Sequence, residues 1–267
     1  MSAMDGYLAA AGQAAALLGD PEVAAAWERP SALAEMTVSG LAGHLAYQIF
    51  SVSATLDEPA SQQPPIPLLE HYARAAWLGA PLDAEVNSGI RSRGEDIGRE
   101  GAQPLAKRAG AALAEQQARL AEQQARLAER PGSQPVFLPQ TGWALSLGDF
   151  LTTRTMELAV HMDDLAVSVG LPARELPDAA FDPVLVLLAR LAARRHGQAA
   201  LLRALARAER APRPSTPSDP GRLGPLETTS AAGRQPLPHS HGLVMACCGV
   251  TMKVALSVAG APSWNPG

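Results

Sequence analysis

Residues 147–169 place ionisable side chains on the apolar stripe of a single helix, and few folds accommodate that. Leu147, Phe150, Leu151, Leu158 and Leu165 recur at helical spacing and mark the face that turns inward. Arg154, Glu157, His161 and Asp164 fall on or next to the same stripe, three and four residues apart. An amphipathic helix normally carries its charges on the opposite face. Burying such groups without partners costs several kcal/mol each, so this helix must sit among neighbours that supply partners or a cation. Ser146 precedes it as an N-cap, with Asp149 three residues on to complete a capping box, and Gly170-Leu171-Pro172 closes it.

The rest of the chain supplies those neighbours as further helices. Of its 267 residues 47% are hydrophobic but only 4% aromatic, and a core of Ala and Leu favours closely packed helices over sheets. The pattern predicts a helix over 4–18, closed by Gly19-Asp20-Pro21. A second opens with Thr37 or Ser39 as N-cap and runs to about Asp57, its apolar positions being Val38, Leu41, Leu45, Ile49 and Val52. Shorter helices are expected around 68–78 and 82–99. Pro104 suits the first position of a helix running to Arg130. That helix contains EQQARLA twice, at 115–121 and 122–128, which puts Leu113, Leu120 and Leu127 at heptad spacing. Two heptads predict a bundle helix lengthened by duplication, with a homodimeric coiled coil as the alternative. Residues 134–145 read as extended or turn-like, and helices follow at 178–195 and 198–210.

These elements predict an all-α domain over 1–211 with extra C-terminal helices, followed by a Pro/Ser/Gly-rich tail over 212–267 that is expected to be disordered. A net charge of −4 offers no basic footprint for nucleic acid. The apolar run 243–261 is interrupted by Lys253, which argues against a membrane span. The start, Met-Ser-Ala-Met-Asp, lacks the basic region of a secretory signal. The two cysteines, Cys247 and Cys248, are adjacent and build neither a disulfide framework nor a zinc knuckle. A cytoplasmic location is the expectation.

Glu157 and His161 lie four apart, so a carboxylate and an imidazole can reach one point off the helix face. That pair suits a borderline divalent ion such as zinc, and it needs a further ligand from elsewhere in the bundle. His44, on the apolar side of its own helix beside Leu41 and Leu45, is the best candidate. Asp164, one turn beyond His161, can orient a ligand from behind. Each piece also has a plainer reading. E-x-x-x-H on a helix is more often a surface ion pair, and a lone core histidine is more often simply hydrogen-bonded. Arg91, Arg93 and Arg154 are candidates for binding an anion, against the plainer reading of the first two as solvated charges. Arg190, Arg194, Arg195, Arg203, Arg207 and Arg210 read as the wet face of the last helices, and the His239/His241 pair as chance.

The segments TVSGLAGHLA (37–46) and ELAVHMDDLAVSVGLP (157–172), with RHGQAALLRALARAERA (195–211) behind them, resemble the N-terminal, metal-binding domain of mycothiol-dependent maleylpyruvate isomerases in the DinB-like superfamily. The resemblance spans about residues 3–211. It implies a four-helix bundle with a long crossover and a divalent metal, zinc above all, held by His44, Glu157 and His161. It further implies mycothiol as thiol co-substrate at an open coordination position, an electrophilic small molecule as its target, and a transferase or isomerase reaction through a metal-bound thiolate. Arg154 is then a contact for the thiol cofactor. The family's second, C-terminal domain has no counterpart in the pattern after residue 211. The alternative is a metal-binding or regulatory helical module without turnover.

Overall fold

The computed structural model describes residues 2–75, 80–129, 135–206, 244–247 and 250–253. Side-chain caps start four of its helices. Ser2 caps α1 (Ala3–Leu18) in a reciprocal capping box with Asp5, and Asp20 caps the short α2 (Pro21–Ala25). Thr37 caps α3 (Val38–Asp57) by accepting from the Gly40 N–H. Two short helices follow, α4 (Leu68–Arg74) and α5 (Glu85–Gly98), each tighter than the periodicity suggests. The long α6 (Ala102–Glu129) begins two residues before Pro104, because Gly101 at φ 89° turns the chain and accepts from the Leu105 N–H. Pro104 still falls in the first turn, where a missing N–H costs no helical bond.

The stretch read as extended pairs with itself. Strands β1 (Pro135–Leu138) and β2 (Trp143–Ser146) form an antiparallel hairpin in the register Pro135↔Ser146 to Leu138↔Trp143. Its last residue, Ser146, caps α7 (Leu147–Val169) by accepting from the Asp149 N–H. The Asp149 side chain does not return the bond, so only half of the expected capping box forms. Gly170 ends α7 at φ 74°, a left-handed conformation that glycine adopts without steric cost. Helices α8 (Asp178–His196) and α9 (Gln198–Ala206) follow. In the tail, β3 (Val244–Cys247) pairs antiparallel with β4 (Val250–Lys253). The remainder of 212–267, with the disorder expected there and the His239/His241 pair, lies outside the described residues.

Four helices enclose the core in the cyclic order α1, α6, α3, α7, each packing on its two neighbours. Ala10, Ala11 and Ala14 of α1 are fully buried, and their small side chains let the helices approach closely. Leu41, Leu45 and Ile49 of α3, Leu105 and Leu120 of α6, and Leu151, Leu158 and Leu165 of α7 fill the interior. This is the all-α bundle expected, and the 58–101 connection between α3 and α6 is its long crossover. Among the described residues no helix is long and apolar enough to cross a membrane.

The crossover returns α5 against the outside of α3, where glycines replace side chains at the contact. A Cβ on Gly43 would overlap the carbonyl oxygen of Gly94, and one on Gly98 would overlap that of Ser39. Glu95 sits at the start of α3 and accepts from both the N–H and the hydroxyl of Thr37. A carboxylate there is favourable, because the first turn of a helix presents free N–H groups.

Candidate metal centre

His44 projects inward from the second turn of α3, and α7 presents Glu157 and His161 to the same place. All three side chains are buried, and one donor atom from each lies within 4.8 Å of the others. The two imidazoles meet edge to face, with ring centroids 4.7 Å apart. His161 Nδ1 lies 3.0 Å from Asp164 Oδ2, so a hydrogen bond there leaves Nε2 as the inward-facing atom. That Nε2 stands 3.3 Å from Glu157 Oε2 without an aligned hydrogen bond.

The two histidines are pushed in opposite directions. Burial, then the positive charges of His161 and Arg154, drive the His44 pKa down to about 3 despite the opposing pull of Glu157. Burial also disfavours charge on His161, but the carboxylates of Asp164 and Glu157 outweigh it and raise the pKa to about 9. A cation at the centre would stand in for a proton on His161 Nε2, beside Glu157.

Of the arginines named from the sequence, Arg154 is the one that reaches the centre's surroundings. Its NH1 donates to Gln48 Oε1 at 2.6 Å and its Nε donates to Thr153 Oγ1, and it forms no ion pair among the described residues. It lines a groove of about 320 Å³ with the rings of Tyr47, Phe50, Phe137 and Phe150, room for a small ligand. Arg93 lies over the Tyr47 ring, exposed, and its charge is felt by His44. Arg91 is committed elsewhere: it pairs with Glu35 at 2.9 Å and donates to the Leu82 carbonyl. Arg190, Arg194, Arg195 and Arg203 are exposed on α8 and α9, as a wet face should be, while Arg207 and Arg210 lie outside the described residues.

Two neighbours of the centre escape sequence reasoning. Gln48 stands one turn after His44, and that i,i+4 spacing was the available signal. His71 on α4 is buried, with Nδ1 accepting from Trp143 Nε1 at 3.0 Å. Burial and the charge of Arg154 lower its pKa to about 4, against the pull of Glu157. No periodicity in the 68–74 segment announces it.

Two imidazole nitrogens and one carboxylate oxygen form a donor set that fits a divalent ion of the zinc type, and three protein ligands leave a position open. The buried Nε2 of His161, facing a carboxylate without an aligned bond, agrees with that fit. No curated protein and no solved structure matches the chain. The family model of the mycothiol maleylpyruvate isomerase N-terminal domain matches residues 7–166, a span that contains His44, Glu157 and His161 and stops before α8. With more than half of its length covered by that match, the chain belongs to the mycothiol maleylpyruvate isomerase N-terminal domain family.

Proposed function

We propose that this chain holds one divalent ion, zinc by the chemistry of its donors, through His44, Glu157 and His161, and acts as a mycothiol-type, thiol-dependent transferase or isomerase. One observation carries the reading: three potential ligands from two helices converge within 4.8 Å in the interior of a bundle. When bound, such an ion lets a thiol at its open position lose its proton near neutral pH and become a nucleophile toward an electrophilic double bond.

The chain's own residues have separable tasks. Glu157 is the one anionic ligand and offsets part of the ion's charge. Asp164 accepts from His161 Nδ1 and so presents the Nε2 lone pair inward. Arg154 lines the groove and pairs with no carboxylate among the described residues, which suits an anionic group on the thiol or its target. Arg93 adds a second positive charge that His44 feels.

Purified protein should carry close to one zinc-like ion per chain, and His44→Ala or His161→Ala should empty it. After cobalt substitution, mycothiol at millimolar concentration should shift the d–d bands, which report a new sulfur ligand. A folded protein that stays metal-free after zinc loading defeats the metal site. A cobalt spectrum that no low-molecular-weight thiol perturbs defeats the transferase reading and favours a metal-binding or regulatory module.

A further inference from the structure

His161 has an evident partner in Asp164, and the geometry points to a counterpart for His44. We propose that Arg154 and Gln48 form a relay that sets the tautomer of His44, holding its Nε2 unprotonated. The relay serves the proposed metal site, but its own logic rests on three hydrogen bonds. Arg154 NH1 donates to Gln48 Oε1 at 2.6 Å. Gln48 Nε2 lies 3.1 Å from the His44 carbonyl oxygen and 3.3 Å from His44 Nε2.

Two of the groups in this chain of bonds can only donate. A guanidinium has five N–H donors and no acceptor, so it requires the carboxamide oxygen on its own side. A flipped Gln48 would set NH2 against the guanidinium and lose the shortest bond of the three. The unflipped amide turns NH2 toward His44, and NH2 also only donates. One hydrogen goes to the backbone carbonyl of His44 and the other meets Nε2, which must therefore carry the lone pair. The His44 proton is left on Nδ1. Gln48 is fully surrounded and has no solvent to offer it another arrangement. Each histidine thus has its tautomer fixed by a partner from its own helix, at opposite nitrogens: Asp164 meets Nδ1 of His161, and Gln48 meets the bare Nε2 of His44. Gln48 is a positioning residue here, and Arg154, reaching across from α7, sets its orientation.

The test reads tautomers directly. Long-range proton–nitrogen correlation spectra of the metal-stripped full chain, with labelled histidine and His44 assigned by its loss in His44→Ala, should show Nδ1 protonated and Nε2 bare. Gln48→Glu keeps an acceptor for Arg154 and keeps the volume, but offers His44 an acceptor in place of a donor, so His44 should switch to the Nε2–H form. Arg154→Met frees the amide to flip and should give a mixture. A wild-type His44 protonated on Nε2, or the same tautomer in wild type and a folded Gln48→Glu, overturns the relay. Since the tautomers are read without an ion, a protein that shows the assigned form yet binds no zinc defeats the metal reading alone.

Discussion

His44 and His161 touch, yet each makes the folded state answer to pH in the opposite sense. The His161 pKa is raised from 6.5 to about 9, so its contribution to stability is complete below about pH 6.5 and is lost as pH rises through 9. The His44 pKa falls from 6.5 to about 3, so its contribution is complete above 6.5 and is lost as pH falls through 3. His71, at about 4, acts in the same direction as His44. The metal-stripped protein should therefore melt highest near pH 6.5, with its melting temperature falling on both sides. His161→Asn should abolish the alkaline slope, and an unchanged slope in that variant would show that the charge lies elsewhere. A second expectation concerns Asp164. Asp164→Asn should keep the fold but weaken zinc about 10–100-fold in competition with a chromophoric chelator, because the side chain that orients His161 no longer holds it as a carboxylate does.

At the scale of elements, the contact between α5 and α3 gives the centre its outer wall. The Gly94 backbone rests against Gly40 and Gly43, and a Cβ at Gly94 would also press on that of His44. Gly43→Ala must push α5 outward, since the obstacle is a backbone carbonyl and not the end of a flexible side chain. The expected cost is about 1–3 kcal/mol, read as a lower melting temperature, together with weaker metal binding as the wall beside His44 loosens. A melting curve identical to wild type would mean that this contact is looser than its geometry indicates. In the first copy of the duplicated heptad of α6, Gln116 is fully buried, accepting from the Tyr7 hydroxyl at 2.6 Å and donating to Ile49 O and Ser53 Oγ. Gln123, its equivalent in the second copy, is only partly buried. In the first copy the glutamine ties α6 to both α1 and α3 through these bonds.

For the whole molecule, the family match ends at residue 166, while the helical packing continues through α8. Val184 and Leu187 of α8 join Tyr72 and Met156 in a second, smaller apolar cluster, and α8 also packs on α1. The bundle therefore includes more than the matched span. We propose that the domain boundary lies at residue 211, so truncation after Ala211 should leave the melting temperature and the metal content nearly unchanged. A fall of several degrees would show that the segment containing β3 and β4 docks on the helices.

The longer helices, the N-caps at Thr37 and Ser146 and the inward stripe of α7 follow from the sequence alone, because periodicity and capping are relations among residues three or four apart, whereas the short α2 behind Asp20 does not announce itself. The coming together of His44 with Glu157 and His161 was legible only through a polar residue on each apolar face combined with a family motif. Other features were beyond that reach. The half-formed cap at Ser146, the earlier start of α6 at Gly101 and the β1–β2 hairpin depend on backbone geometry that one-letter patterns leave open. The glycine contact between α3 and α5, the buried His71 and the bond from Arg154 to Gln48 join residues far apart in the chain. Such pairings are directional and short-ranged, so they exist only once packing has brought the helices together, and packing is what the tertiary structure decided.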